Sequence, residues 1–453
     1  MAEIMPFNGV LYNEEKVGDL NKVMAPPYDV ISPKKQDEFY SRHQNNVIRL
    51  ILSKASPEDT EGNDKYTRAA ADLKKWLSEG VLAKDNKPAI YYYTQTYALK
   101  NGKKQTRKGF IALARLVDFG KGIHPHEKTL SGPKADRLKL MQACNVNLSC
   151  IFSLYSEPAL NINHALDGAT KGVKAIIDVK DDDGIENRMW RVDDPGIINE
   201  IAEGMKGKPL FIADGHHRYE TALNYRNMMR EKETNPTGLE PYNYVMMYFS
   251  NMDDEGMTIW PTHRVIHSLN DFNGGSFLAE CGKYFDIEEF AYNDSTEPDA
   301  RKSFLARLEA AGREKIALGL HIRATDIFYV FTVKSGDVMG KVFGDKIPEV
   351  FKNLDVTVLH SLILNNILGI TQEAQEKQTN LIYVKSYDEA LSAMKKDENQ
   401  LVFLLNPTRI EQVKAVAEAG FVMPQKSTYF YPKLLSGLVI NLLSSKNTAA
   451  AEA

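Results

Sequence analysis

The sequence predicts a mixed α/β protein with more than one domain. Three observations carry that prediction. Short β-rich apolar runs alternate with helix-period patterns along the whole chain. With 43% hydrophobic, 26% charged and 9% aromatic residues, the composition is that of an ordinary globular protein. At 453 residues, the chain exceeds what one hydrophobic core ordinarily spans, which points to about two to four domains.

In chain order, the first strand-like run is the PYDVI segment, Pro27 to Ile31, after a rigid proline pair. Ser32-Pro33 opens a helix, with a serine cap and proline in the first turn. Strand patterns follow at Asn46 to Ser53, Ala89 to Thr96, Gly109 to Leu116, Leu210 to Ala213, Tyr244 to Ser250, Ile327 to Val333 and Leu401 to Leu405. Between them the helix period appears at Asp64 to Ser78, Pro133 to Gln142, Tyr219 to Glu231, Ala300 to Ala311, Val356 to Leu368, Tyr387 to Lys395 and Arg409 to Glu418. The turn-rich stretch His267 to Gly275 marks a boundary, giving domains at 1–270 and 271–445, with a disordered tail at 446–453. The acidic KDDDG stretch, Lys180 to Gly184, reads as a solvated loop, with a metal site as the alternative.

A balance of 56 Lys plus Arg against 60 acids leaves −4, and the pI is near 6.2, so no basic field gathers nucleic acid or anionic lipid. The first residues lack a secretory pattern, and the apolar run Leu434 to Leu443 is about half the length of a membrane span. Three cysteines, Cys144, Cys150 and Cys281, form no CxxC pair. A cytoplasmic location, with no membrane and no nucleic-acid partner, is the expectation. A small-molecule substrate is expected, and a homo-oligomer is compatible with all of this.

The most informative segment is Asp214-Gly215-His216-His217-Arg218. It follows a short apolar run and precedes a helix whose Tyr219, Ala222, Tyr225 and Met229 share a face, so it reads as strand, tight turn, helix. Asp214 suits the N-cap, and Gly215 leaves room for a sharp turn or a close ligand. The amides of Gly215 to His217 would face outward at the positive end of the helix dipole, which is an anion site. Arg218 adds a two-pronged phosphate grip, and the two histidines add proton donors. Adjacent side chains on a helix diverge, so the histidine pair is a poor protein-only metal site.

Five segments together resemble the bacterial and archaeal family catalogued as domain of unknown function 1015: MAPPYDVIS (24–32), HPHEKTLSGPKADRLKLM (124–141), FIADGHHRYETAL (211–223), WPTHR (260–264) and MPQKSTYFYPKL (423–434). The DGHHR segment is also similar to the ParB and sulfiredoxin superfamily, which includes free serine kinases. That resemblance implies a ParB/sulfiredoxin-like nucleotide- or phosphate-binding core in the first half, joined to a second α/β domain. His216 stands where a sulfiredoxin has its reactive cysteine, so thiol repair chemistry is excluded. No DNA-binding helix-turn-helix follows, which disfavours a partition protein.

What the resemblance leaves is a phosphotransferase. It would act on the hydroxyl of free serine, or on phosphoserine in reverse, with ADP, ATP or pyrophosphate as donor and Mg²⁺ accompanying the phosphates. A nucleotide-binding switch without transfer, or a small-phosphoester phosphatase, is the alternative. Phosphoryl transfer needs cations on the migrating group and a proton acceptor. Asp214, Gly215, His216, His217 and Arg218 are read as the phosphate site, completed by Arg264 and Lys426, the latter on a loop expected to fold back over the first-half site. Glu127 is the candidate base, with His216 and His217 as further catalytic candidates. Tyr28, Asp29, His126, Thr129, Arg137 and His263 are substrate-binding candidates. Asp29 has an alternative role as a helix cap, and Arg264 one as a surface salt bridge. No protein metal ligands are assigned.

Overall fold

The computed structural model describes residues 3–99, 101–127, 131–323, 325–334, 337–344 and 347–443. Its contacts divide the chain into two compact units. The first comprises Met1–Pro125, Thr129–Thr258 and Pro432–Ala453; the second comprises His126–Lys128 and Ile259–Tyr431. Residues 259–270, expected with the first domain, therefore fold with the second, and 432–443 return to the first. The 446–453 tail lies outside the described residues.

The first unit is organised by a nine-stranded mixed sheet. Its strands in chain order are β1 (Ile4–Met5), β2 (Ile90–Ala98), β3 (Lys104–Arg115), β4 (Ile123–His124), β5 (Ile151–Tyr155), β6 (Ile177–Lys180), β7 (Glu186–Val192), β8 (Leu210–Asp214) and β9 (Tyr244–Asn251). Across the sheet the order is β4-β8-β5-β9-β3-β2-β7-β6, with β1 against β3. Pairing is antiparallel except at β8/β4 and β9/β5. Its longer helices include α1 (Pro33–Arg42), α2 (Lys65–Ser78), α3 (Ser131–Cys144), α4 (Asn161–Thr170), α5 (Pro195–Met205) and α6 (His216–Lys232). Phe110, Ala112 and Ala114 of β3 alternate into the same core as Val245, Met247 and Phe249 of β9, as a period of two requires. Ile162 and Leu166 of α4, Ile201 and Met205 of α5, and Tyr219 and Ala222 of α6 close over it. Each large side chain buried there contributes about 1.5 to 3 kcal/mol.

The second unit holds a six-stranded antiparallel sheet of β10 (His263–His267), β11 (Phe285–Ala291), β12 (Ala317–Ile322), β13 (Ile327–Val333), β14 (Leu381–Val384) and β15 (Asn399–Leu405), in the order β11-β13-β12-β15-β10-β14. Its helices include α7 (Gly274–Cys281), α8 (Glu297–Glu314), α9 (Tyr387–Ala393) and α10 (Ile410–Glu418). Phe304 and Leu308 of α8 and Ala390 of α9 pack on Val265, Phe328, Val330, Val402 and Leu404 of the sheet.

Two strand expectations are corrected. Asn46 to Ser53 is not a strand: Ile48–Ile51 forms a helical turn, started by the Asn46 side chain accepting from the Ile48 amide at 2.9 Å. Its Ile48, Leu50 and Ile51 are all buried, and without a polar face an apolar run carries no period to read. Tyr28–Val30 is a 3-10 turn rather than strand. The expected helix at Val356 to Leu368 is present, as a short α-helical start at Asp355–Thr357 that continues into a π-helix over Val358–Ile367. The KDDDG stretch is the turn between β6 and β7, where Asp182 pairs with Arg42 at 2.8 Å and Asp181 accepts from the Ile185 amide. Among the described residues no helix is long and apolar enough to cross a membrane. Cys144, Cys150 and Cys281 are free thiols, and burial pushes each up to about 12.

Gly109 of β3 lies so close to β9 that a Cβ there would meet the Phe249 carbonyl oxygen at 2.4 Å. Backbone oxygen cannot swing aside, so Gly109→Ala is expected to lower stability by about 1 to 3 kcal/mol in urea unfolding; an unchanged midpoint would count against this packing. A second prediction concerns α2 and α3, which are joined by Asp136. Its carboxylate accepts from Lys65 Nζ at 2.6 Å, Tyr66 Oη at 2.8 Å and Arg137 Nε at 2.9 Å. Burial alone would raise the Asp136 pKa, but Arg137, Lys65 and Tyr66 outweigh it and hold the group at about 2. An acid whose folded pKa is depressed stabilises above its unfolded value near 3.8 and loses that contribution as pH falls through the folded value. After allowance for solvent screening this amounts to about 1 to 2 kcal/mol. Asp136→Asn should therefore be less stable by that amount at pH 6, with the gap closing between about pH 4 and pH 2. A gap independent of pH would refute the linkage.

Candidate anion site at the start of helix α6

In the first unit, β8 runs into α6 through one residue, Gly215. The strand ends in a bulge: Ile212 pairs with Ser153 and Asp214 with Phe152, and the register shifts between them. Such an irregularity re-aims the chain at a sheet edge. Gly215 then takes φ 91° and ψ 27°, the left-handed region that glycine enters without strain. A Cβ there would sit 3.0 Å from the Arg218 guanidinium, so the arginine folds back over the glycine.

Gly215, not Asp214, is the N-cap residue, and being glycine it brings no capping side chain of its own. Asp214 instead binds cations. Its Oδ2 accepts from Arg218 at 2.7 Å and its Oδ1 from Lys433 Nζ at 2.5 Å. Arg218 also donates to the Cys150 carbonyl. One carboxylate thus holds two cations, and the group is left with a net positive charge at the positive end of the helix dipole. Asp214, Gly215, His217 and Arg218 are half-buried, while His216 is buried. The helix behind them is anchored by Tyr219, whose hydroxyl donates to the Val117 carbonyl at 2.6 Å, and by Arg226, which donates to the Leu116 carbonyl and to Asp118.

Lys433 is the residue that sequence reasoning did not place in the site. Its position depends on a second arginine, which no local pattern singles out. Arg107, 1% exposed, donates to the Pro432 carbonyl at 2.6 Å and to Gln95. The Gln95 amide in turn donates to the Lys433 carbonyl at 3.0 Å. These two contacts hold the backbone from which Lys433 reaches Asp214. The Arg107 guanidinium rests 4.5 Å over the ring of Phe152, the register partner of Asp214. The separation of 219 residues between Lys433 and Asp214 leaves no local pattern to detect.

Tyr28 and Arg137 belong to the same unit and line a small cavity of about 60 Å³ with Arg218, Thr221, Ser149 and Ile51. Arg137 lies 4.0 Å over the Tyr28 ring and donates to the Ile51 carbonyl at 2.6 Å. Burial, then the Asp29 charge, raises the Tyr28 pKa, with Arg137 and Arg218 opposing and Asp214 adding to the rise. Asp29 is exposed, and the helix after it is capped by Ser32, whose hydroxyl accepts from the Lys35 amide at 3.3 Å.

The other candidates fold with the second unit. His126 is fully buried, its Nε2 2.7 Å from the Thr428 hydroxyl. The Glu127 carboxylate accepts from the Thr428 amide and hydroxyl, both at 3.3 Å. His263 opens β10, where Nδ1 accepts from the Leu405 amide at 3.2 Å and the ring stacks on Tyr387. Arg264 is neither an exposed clamp nor a surface salt bridge. It is 1% exposed and donates to the carbonyls of Thr262 and Lys426 and to His360 Nε2. Burial pulls its pKa down to about 10. Lys426 is exposed at φ 57°, on a loop whose carbonyls Arg264 holds within the second unit. The cation that joins the turn within the first unit is Lys433. Thr129 lies outside the described residues.

Among the described residues no three His, Cys, Asp or Glu side chains gather to hold a metal ion. At the turn both Asp214 oxygens accept from cationic groups, so a protein-held Mg²⁺ does not fit there.

A free serine kinase in complex with AMP is 13% identical, with a TM-score of 0.33 over 71% of this chain and 86% of its own. A conserved hypothetical protein from Pyrococcus furiosus is 12% identical, with a TM-score of 0.32 over 71% and 90%. SbnI from Staphylococcus aureus, truncated at its C-terminus, is 10% identical, with a TM-score of 0.35 over 74% and 89%. No curated protein matches. The model of the family described as a protein of unknown function, DUF1015, matches residues 4–357, and the chain belongs to that family.

Proposed function

We propose that the first unit binds the phosphates of a nucleotide or pyrophosphate at the Gly215 turn and transfers a phosphoryl group to the hydroxyl of free serine. The observation that carries this reading is the Asp214–Arg218–Lys433 cluster beside a helix start whose N-cap residue is a glycine in the left-handed region. Such a start offers amide donors and a positive dipole to an anion. The acceptor class comes from the likeness of the DGHHR segment to the free serine kinases.

In this mechanism, Arg218 and Lys433 are held in advance by Asp214, so little side-chain order is lost when phosphate arrives. The acceptor oxygen forms a bond to phosphorus while the bond to the leaving phosphate oxygen breaks, and the donor departs with that electron pair. The hydroxyl proton passes to an imidazole, for which half-buried His217 is placed better than buried His216. Mg²⁺, where present, comes with the donor phosphates.

The test is phosphorus NMR of the purified full chain with serine and, in turn, ADP, ATP and pyrophosphate. Phosphoserine is the expected product; its absence with all three donors overturns the reading, and inorganic phosphate without phosphoserine assigns hydrolysis instead. Arg218→Ala is expected to weaken donor binding by about 1.5 to 3 kcal/mol, the scale of a hydrogen bond to a charged group. Lys433→Met should act in the same direction. Calorimetry showing unchanged donor affinity in both folded variants would remove the site.

A further inference from the structure

The second unit contains a pocket of different chemistry. Its cavity of about 470 Å³ falls in the range of small-molecule sites, about 300 to 1,000 Å³. One wall is the π-helix Val358–Ile367, which contributes Ser361, Asn365 and Asn366. The wide turn is visible in its last bond, from the Leu368 amide to the Ile363 carbonyl at 2.9 Å. π-helical geometry costs hydrogen-bond quality and recurs where a side chain must be displaced toward a ligand.

The back of the pocket is rigid. His360 is 5% exposed and is gripped from both ring nitrogens. Arg264 Nε lies 3.2 Å from its Nε2 and can only donate, so Nε2 accepts and the proton sits on Nδ1, facing Gln375 Oε1 at 2.8 Å. The Gln375 amide then donates to the carbonyls of His360 and Ile370. Burial, with the Arg264 charge beside it, keeps this histidine neutral, its pKa pulled down to about 3.

The lining separates this site from an anion site. Among the described residues around the cavity there is no lysine or arginine side chain and one carboxylate, Glu376. Among the described residues, phosphate would meet no cation on the pocket surface. The polar groups are mostly carboxamides, with Gln372 and Gln425 joining the asparagines, and the apolar ones include Phe343, Phe351 and Tyr383. A carboxamide presents a donor and an acceptor side by side, which pairs with the edge of a purine or pyrimidine. Aromatic rings supply faces on which such a heterocycle stacks.

We infer that this pocket binds an uncharged nucleoside, held by carboxamides at the base edge and by aromatic contact at its face. The inference stands on the second unit and does not rest on the phosphoryl-transfer reading. It is tested by calorimetry of the full chain with adenosine, guanosine, cytidine and uridine, each compared with its 5′-monophosphate. At least one nucleoside should bind saturably with Kd below about 1 mM, and its monophosphate about tenfold or more weakly. Ser361→Trp, which fills the cavity, should abolish binding, and Asn366→Leu should weaken it by about tenfold; the second variant decides if the first fails to fold by circular dichroism. Arg218→Ala, in the first unit, should leave nucleoside affinity unchanged, so failure here and failure of the transfer reading are told apart. The inference is overturned if no nucleoside binds, if the monophosphate binds as tightly, or if binding survives the folded pocket variants.

Discussion

The first unit depends on where one buried guanidinium sends its hydrogen bonds. Arg107 has no carboxylate among its hydrogen-bond partners. Its Nη2 is given to a carbonyl and a carboxamide, and its Nε and Nη1 have no partner among the described residues. Burying a cation in this way is costly, and cation–π contact with Phe152 and Tyr248 offsets only part of that cost. What it secures is the path of the chain at Pro432 and Lys433. With that backbone held, Lys433 can meet Asp214, Asp214 can orient Arg218, and Arg218 can lie across Gly215. Removing one member of a buried charge network leaves its partner uncompensated, typically about 3 to 5 kcal/mol. The geometry of the turn is therefore coupled to residues distant in sequence.

Arg264 uses the same device in the second unit, with a different result. Its donors hold the carbonyls of Thr262 and Lys426 and one nitrogen of His360. The charge stands one layer behind the pocket wall, where it fixes a histidine tautomer instead of meeting a ligand. An arginine in a polar motif can serve as a clamp or as internal scaffolding, and burial separates these roles. Arg218 is half-buried beside the glycine that starts the helix; Arg264 is enclosed.

These contrasts explain what was legible in the sequence. The strand Leu210 to Ala213, the glycine turn and the Tyr219, Ala222, Tyr225 face could be read because each is written within a few neighbouring residues. Gly109 to Leu116 and Ile327 to Val333 were legible for the same reason. The Asn46 to Ser53 run shows no strand or helix period because Ile48, Leu50 and Ile51 are all buried, and the deciding signal, the Asn46 side chain accepting from the Ile48 amide, favours a helical turn by one local hydrogen bond. Asp214 was assigned to the cap because aspartate suits that position; lysine and arginine compete for its oxygens more strongly than an amide does. Lys433 was not legible, since only tertiary structure brings it to Asp214.

The division of the candidate residues follows from strand pairing rather than from proximity in sequence. Glu127 forms a bridge with Met423, and the Met423 amide donates to the His126 carbonyl at 2.7 Å. That pairing draws the HPHE motif into the second unit, although β4 immediately before it pairs with β8 in the first. Pro432 similarly ends one unit's chain and begins the other's return. A motif of charged and aromatic residues therefore states which groups are available, and register decides which of them meet. Asp214, Arg218 and Lys433 meet because β8 stops at a bulge, glycine admits a left-handed turn and the returning segment is pinned by Arg107. Each condition is a backbone requirement, and the charges assemble only when all three are satisfied.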